Sequence, residues 1–296
     1  MSRPTQPDVC MHPAPVTVVC ESLRQQLLSL FSVDSSWDAE TGVDERMWER
    51  GVFNDVAVAA NEMAEEEHSS EFGEEQTDGS RPCPRDGAGW GLRAEAVDTL
   101  CREPPPAPIV ELQSRLVKLL RAANGGRDVT ICRMPPAVLG DSVTPLAGNA
   151  PVAADEGLYG WHIDADPALL PPSPWTDVFG RYPNRWPGKP RFVTALVYLN
   201  GRWDEAWGAP TRFLDPPTEQ VLSVAPQPGR VVLMDQDITH AVTAPHASAG
   251  PSRPRYSLAC KLVLHPATAA AQTVRLVEVE QWGDPVTFGS AAMREG

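Results

Sequence analysis

In Trp161-His162-Ile163-Asp164 an imidazole and a carboxylate stand two residues apart. On an extended chain such residues point to the same side, so His162 and Asp164 can converge on one point. They supply two metal ligands, and a third must come from elsewhere. His240 is the candidate: it follows a strand-like run, Gly229 to Met234, and the segment Asp235-Gln236-Asp237-Ile238-Thr239. A histidine there can face inward across from His162. Two imidazoles and one carboxylate on one face of a metal leave coordination positions open, which suits iron(II) oxygen chemistry. Asp166 is an alternative carboxylate to Asp164. His246 is an alternative to His240, although it sits among Pro, Ala and Ser with no strand before it. His12, His68 and His265 read as solvent-facing or terminal. Asp235 and Asp237 read either as groups that orient His240 or as turn acids.

A second cluster begins at Arg255, with Ser257 two residues on, at the start of an apolar strand pattern running to Leu264. A barrel interior accepts an arginine only with an anion to pair it. A guanidinium and a hydroxyl on one side make a carboxylate clamp. The plain alternative is an exposed arginine at a strand start.

These residues need a scaffold that brings distant segments together. Arg191 to Asn200 is rich in β-branched and aromatic residues and is closed by Asn-Gly, a strand signature. Val129–Arg133, Thr211–Leu214, Val221–Val224, Arg230–Met234 and Arg255–Leu264 are further short strands, separated by Pro or Gly turns. Strands at this density without intervening helices indicate an antiparallel sandwich or barrel. Upstream, the spacing of Leu23, Leu27, Leu28 and Phe31 predicts a helix over 20–31, and that of Leu112, Leu116, Leu119 and Leu120 predicts one over 109–124, stopped by Asn124-Gly125-Gly126. A short helix is expected within 44–60, and residues 274–280 alternate as an edge strand would. The organisation expected is a tail and helices over 1–60, an acidic disordered linker over 61–89, supporting helices over 90–126, a catalytic domain over 127–270, and an edge strand with tail over 271–296.

The chain has 296 residues, 31 of them proline, and a net charge of −14. Eight uncompensated acids lie between Asn61 and Gly79. Such composition buries too little apolar surface to offset its ordering entropy. An acidic chain binds phosphate backbones poorly, so nucleic acid is a disfavoured partner. No apolar run of about 18 residues suggests a membrane span and no secretory signal is visible, so the expectation is an intracellular protein with free thiols at its six cysteines.

The order of these pieces resembles the iron- and 2-oxoglutarate-dependent dioxygenases, particularly the prolyl 4-hydroxylase branch. The resembling stretch covers roughly 127–266. It is carried by Leu196-Val197-Tyr198-Leu199-Asn200, Trp203-Asp204, Trp207-Gly208, Thr211-Arg212-Phe213, His240-Ala241-Val242 and Arg255-Tyr256-Ser257, together with the upstream His162 and Asp164. Three features depart from the pattern. Gly208-Ala209 replaces a Gly-Gly pair, the interval from His240 to Arg255 is long, and a Pro- and Trp-rich insertion follows Asp164 as far as Arg191.

The resemblance implies a mainly β (α+β) fold: a double-stranded β-helix (jelly-roll) core flanked by N-terminal helices. It implies Fe(II) held by His162, Asp164 and His240, with 2-oxoglutarate and O2 as co-substrates and ascorbate as reductant. Arg255 would bind the distal carboxylate of 2-oxoglutarate. Tyr198, Tyr159 and Ser257 would line the co-substrate site, both tyrosines having a plain alternative as core aromatics. It favours a prolyl residue of a protein or peptide as substrate, with a free amino acid, small metabolite or nucleobase as alternative. The 165–190 insertion would be a lid or recognition element, its Trp175, Phe179, Tyr182 and Trp186 forming a groove or packing. A zinc enzyme of cupin type and a non-catalytic binding module are the competing readings.

Overall fold

The computed structural model describes residues 19–31, 46–52, 88–101, 105–123, 129–133, 146–153, 160–215, 220–250 and 253–266. In chain order the elements are α1 (Glu21–Ser29), β1 (Trp48–Val52), β2 (Ala88–Leu92), α2 (Ala94–Cys101), α3 (Ala107–Ala123), β3 (Val129–Arg133), β4 (Leu146–Asn149), α4 (Pro174–Phe179), β5 (Arg191–Tyr198), β6 (Thr211–Asp215), β7 (Gln220–Val224), β8 (Val231–Asp235), β9 (His240–Val242) and β10 (Ser257–Pro266).

Two antiparallel sheets result. The larger is ordered β1-β2-β4-β10-β5-β8, with β3 also on β10; the smaller is β7-β6-β9. Strands β5 and β10 form the centre of the larger sheet, paired from Ser257↔Tyr198 to Leu264↔Arg191. Both are apolar along their length because both faces are covered. Successive side chains alternate between faces. Val193, Ala195, Val197, Leu258, Cys260, Leu262 and Leu264 meet the helices in one core, with Leu23, Leu27 and Leu28 of α1 and Leu112, Leu116 and Leu120 of α3. The opposite phase, Thr194, Leu196 and Tyr198 with Ser257, Ala259 and Lys261, faces the second sheet, and only this phase carries polar groups in mid-strand. This is the mainly β architecture with flanking helices of a jelly roll. Arg24 of α1, 4% exposed, donates to the Leu199 carbonyl at 2.6 Å and so anchors α1 at the exit of β5.

The helix expected within 44–60 is corrected: Trp48–Val52 is a strand paired with β2. Tertiary contacts override the local pattern, because Trp48 is buried between Phe31 and Tyr256 and its indole donates to the Phe31 carbonyl. Ala88–Leu92, at the boundary of the expected linker, and Leu146–Asn149 are strands that the sequence reading does not contain. The rest of the linker and the expected edge strand over 274–280 lie outside the described residues. No helix of the described residues is long and apolar enough to cross a membrane.

Candidate metal centre

His162 and His240 face each other through reciprocal backbone bonds: each amide donates to the other's carbonyl, at 2.9 and 2.8 Å. Beyond this isolated bridge the chain stays attached, with the Asp164 amide donating to the Gln236 carbonyl at 2.9 Å. Gln236 is fully buried and its side-chain amide bonds the Val193 carbonyl. These backbone contacts position the three candidate ligands, and one ligand atom from each of His162, Asp164 and His240 lies within 4.8 Å of the others. The imidazole centroids are 4.3 Å apart.

Nδ1 of His162 is 2.7 Å from the Gly160 carbonyl, and Nδ1 of His240 is 3.0 Å from the Ile238 carbonyl. A carbonyl can only accept, so each Nδ1 carries the hydrogen and each Nε2 keeps a lone pair. This outer hydrogen bond is the one metal-binding histidines make. His240 is buried, which pushes its pKa down to about 4 against the opposing pull of Asp164. It is therefore neutral and ready to ligate at ordinary pH. The donor set fits a divalent transition metal with open positions.

Asp164 is held at both oxygens. Thr194 Oγ1 donates to Oδ2 at 2.6 Å, and the Lys261 ammonium lies 3.0 Å from Oδ1. Burial alone would raise this carboxyl's pKa. Lys261, His240, the Thr194 hydroxyl and His162 outweigh burial and hold it well below the usual carboxylate range. Thr194 and Lys261 are absent from the sequence reading. A lysine in the otherwise apolar Leu258–Leu264 run was the available signal.

Arg255 is fully buried. Its guanidinium donates to Thr211 Oγ1 at 2.7 Å and to Ser257 Oγ at 3.3 Å, and lies 4.8 Å from the Tyr198 ring centroid. Tyr198 in turn donates to Thr211 Oγ1 at 2.8 Å. So Arg255, Ser257 and Tyr198 are brought together as expected, with Thr211 as an unforeseen fourth member. Tyr159 lies outside the described residues.

Other candidates fall away from the cluster. Asp166 accepts from the Ala168 amide, His246 is exposed beside the Ala206 carbonyl, and neither joins the triad. Asp235 and Asp237 do not touch His240. Asp235 is paired with Arg191 and Arg185, and Asp237 with Arg185 and Asn184. Through these bonds the 165–190 insertion is fastened to the β8–β9 turn. Trp175, Phe179 and Tyr182 are buried against Phe192 and Val263, so they pack and form no groove; Trp186 is half exposed. His265, expected near solvent, is buried with its ring 5.8 Å from that of Trp175. The shared reason is apolar demand: α4 covers one end of the inner face and packs with Phe192, Val263 and His265 there.

Residues 150–261 match the family described as the 2OG-Fe(II) oxygenase superfamily. The matched stretch, under half of the chain, contains the triad, Tyr198, Arg255 and Ser257. No curated protein matches the chain. Among solved structures, a Pseudomonas putida prolyl-4-hydroxylase is 17% identical, covering 75% of this chain and 93% of its own, with a TM-score of 0.32. A Trichoplax adhaerens prolyl hydroxylase, solved with a hypoxia inducible factor oxygen degradation domain peptide, is 13% identical over 86% and 94%, with a TM-score of 0.35. The non-heme alpha ketoglutarate dependent epimerase SnoN from nogalamycin biosynthesis is 16% identical over 75% and 78%, with a TM-score of 0.31.

Proposed function

We propose that this chain, whose residues 150–261 match the 2OG-Fe(II) oxygenase superfamily, hydroxylates an unactivated C–H bond, with a prolyl unit as the substrate class to try first. The observation that carries the oxygenase reading is the pairing, between the inner faces of the two sheets, of a two-histidine, one-carboxylate cluster with a buried arginine clamp. A zinc site of cupin type would account for the cluster and leave Arg255, Thr211 and Tyr198 without a task. The prolyl choice rests on the sequence resemblance.

In this reading His162, Asp164 and His240 hold Fe(II), and Arg255, Thr211, Ser257 and Tyr198 take the distal carboxylate of 2-oxoglutarate. Bound iron and 2-oxoglutarate supply the oxygen-activating power, with decarboxylation to succinate as the driving reaction. The protein's share is orientation. Thr194 and Lys261 fix the plane of the Asp164 carboxylate. The Gly160 and Ile238 carbonyls fix both imidazole tautomers. Buried apolar side chains, Leu196 and Ala259 among them, keep water from the space between clamp and triad.

The test is an anaerobic titration of the metal-free chain with Fe(II) and 2-oxoglutarate, monitoring the weak visible charge-transfer band of the chelate. A band that is lost in His162→Ala and Asp164→Ala supports the reading. Folded protein that gives no band and binds zinc overturns it in favour of the cupin-type zinc enzyme.

A further inference from the structure

Lys261 is 8% exposed and its side chain reaches the inner face of β10 among uncharged neighbours, with Thr194 opposite it in register. An ammonium has three N–H donors. Among the described residues Asp164 is the one anion it meets, at 3.0 Å. In the metal-free chain Lys261 supplies the counter-charge of the buried Asp164, beside the neutral Thr194 hydroxyl on the other oxygen; a bound dication would take over that task.

Without metal the Lys261–Asp164 pair is balanced. A dication shared by two neutral imidazoles and Asp164 upsets that balance, because Asp164 then answers to both the metal and Lys261. On the oxygenase reading, the chelating carboxylate of 2-oxoglutarate cancels one further charge, and its other carboxylate belongs to the clamp at the far end of the strand. One positive charge is left over at the metal end. A buried charge without a counterion is costly, and the two spare donors of Lys261 are the groups that would receive one.

We propose that Lys261 is the docking point for a carboxylate carried by the primary substrate, held beside the metal-binding Asp164. The inference rests on the oxygenase reading and narrows it. The substrate is then a free amino or imino acid, or a peptide whose C-terminal carboxylate enters the site, rather than an uncharged residue inside a chain.

The experiment uses the full chain as its anaerobic Fe(II)·2-oxoglutarate complex and reads perturbation of the charge-transfer band, which reports binding without turnover. The probes are matched acids and amides: L-proline, L-glutamine and L-leucine with their amides for the free-acid source, and glycyl-L-proline with its C-terminal amide for the peptide source. At least one acid should perturb the band at concentrations tenfold or more below those its amide requires. Which pair discriminates identifies the source. At saturating Fe(II), Lys261→Met should abolish the discrimination and Lys261→Arg retain part of it, both with an unchanged requirement for 2-oxoglutarate. Equal response to acids and amides, including no response to either, overturns the proposal. So does a Lys261→Met variant that, at saturating Fe(II), discriminates as before or needs more 2-oxoglutarate. Absence of the band in the wild-type protein is a separate outcome and overturns the oxygenase reading beneath it.

Discussion

Replacing Thr194 by Val tests whether the Asp164 carboxylate is held in its ligating pose from behind. The side chain is fully buried, and its hydroxyl donates at 2.6 Å to a carboxylate that burial alone would neutralise. Valine keeps the shape and removes the donor. A hydrogen bond to a charged group contributes about 1.5–3 kcal/mol, and that is the expected loss of stability in the metal-free protein, measured by chemical denaturation with a chelator present. Metal affinity should fall roughly ten- to a hundredfold, as for other groups behind a ligand, because the metal must then fix the carboxylate's rotation against Lys261 alone. Thr194→Ser keeps the hydroxyl and should retain most of the affinity. The pH dependence carries a sign. A carboxyl with a depressed folded pKa contributes stability at neutral pH that is lost as pH falls through the folded value. The Thr194→Val deficit should therefore be largest near neutrality and shrink in strong acid. A variant with wild-type stability and wild-type metal affinity would refute the reasoning.

His240 gives a second pH signature. Its pKa is 6.5 ordinarily and is pushed down to about 4 by burial, so the unfolded chain takes the proton first, and metal-free stability should drop by roughly 3 kcal/mol between pH 6.5 and 4. Denaturation curves across that window check it, and His240→Gln should flatten the slope. Arg255→Met should raise the 2-oxoglutarate concentration needed for half-saturation of the chelate band by about tenfold or more, with Fe(II) binding in the absence of 2-oxoglutarate unchanged. Trp175→Ala should cost about 3–5 kcal/mol in unfolding free energy, because a fully buried indole between Phe179 and Phe192 is removed. Arg185→Ala should speed limited proteolysis within 165–190 while far-ultraviolet circular dichroism stays unchanged, since Arg185 is the residue that reaches both Asp235 and Asp237.

Much of the centre was legible because its signals are local. The two-residue spacing of His162 and Asp164 reads directly as one face of an extended segment, and the apolar run from Arg191 names the central strand. What supports Asp164 was not legible. Thr194 and Lys261 come from β5 and β10 and meet it only through the register of those strands, a long-range quantity that composition does not encode. Trp48 was misplaced for a related reason: its five-residue strand exists through pairing with Ala88–Leu92, across a stretch of chain that carries no strand signal of its own. Asp235 and Asp237 were weighed as partners of the nearby His240. Their actual partners are Arg185 of the insertion and Arg191 at the start of β5, and opposite charges there prevail over proximity in sequence.

The reciprocal amide bonds between His162 and His240 make ligand loss a concerted event. Fraying that releases one imidazole's backbone releases the other's, so the triad cannot shed its histidines one at a time through backbone motion. The bonds belong to the rim of the smaller sheet, three strands whose outer member, β7, is largely solvent-exposed. Local openings of that kind are cooperative and draw on the least buttressed part of a structure. The residence time of an ion in this centre would then be governed by how often that thin sheet unzips at its margin, and amide exchange at His162 and His240 would keep time with it.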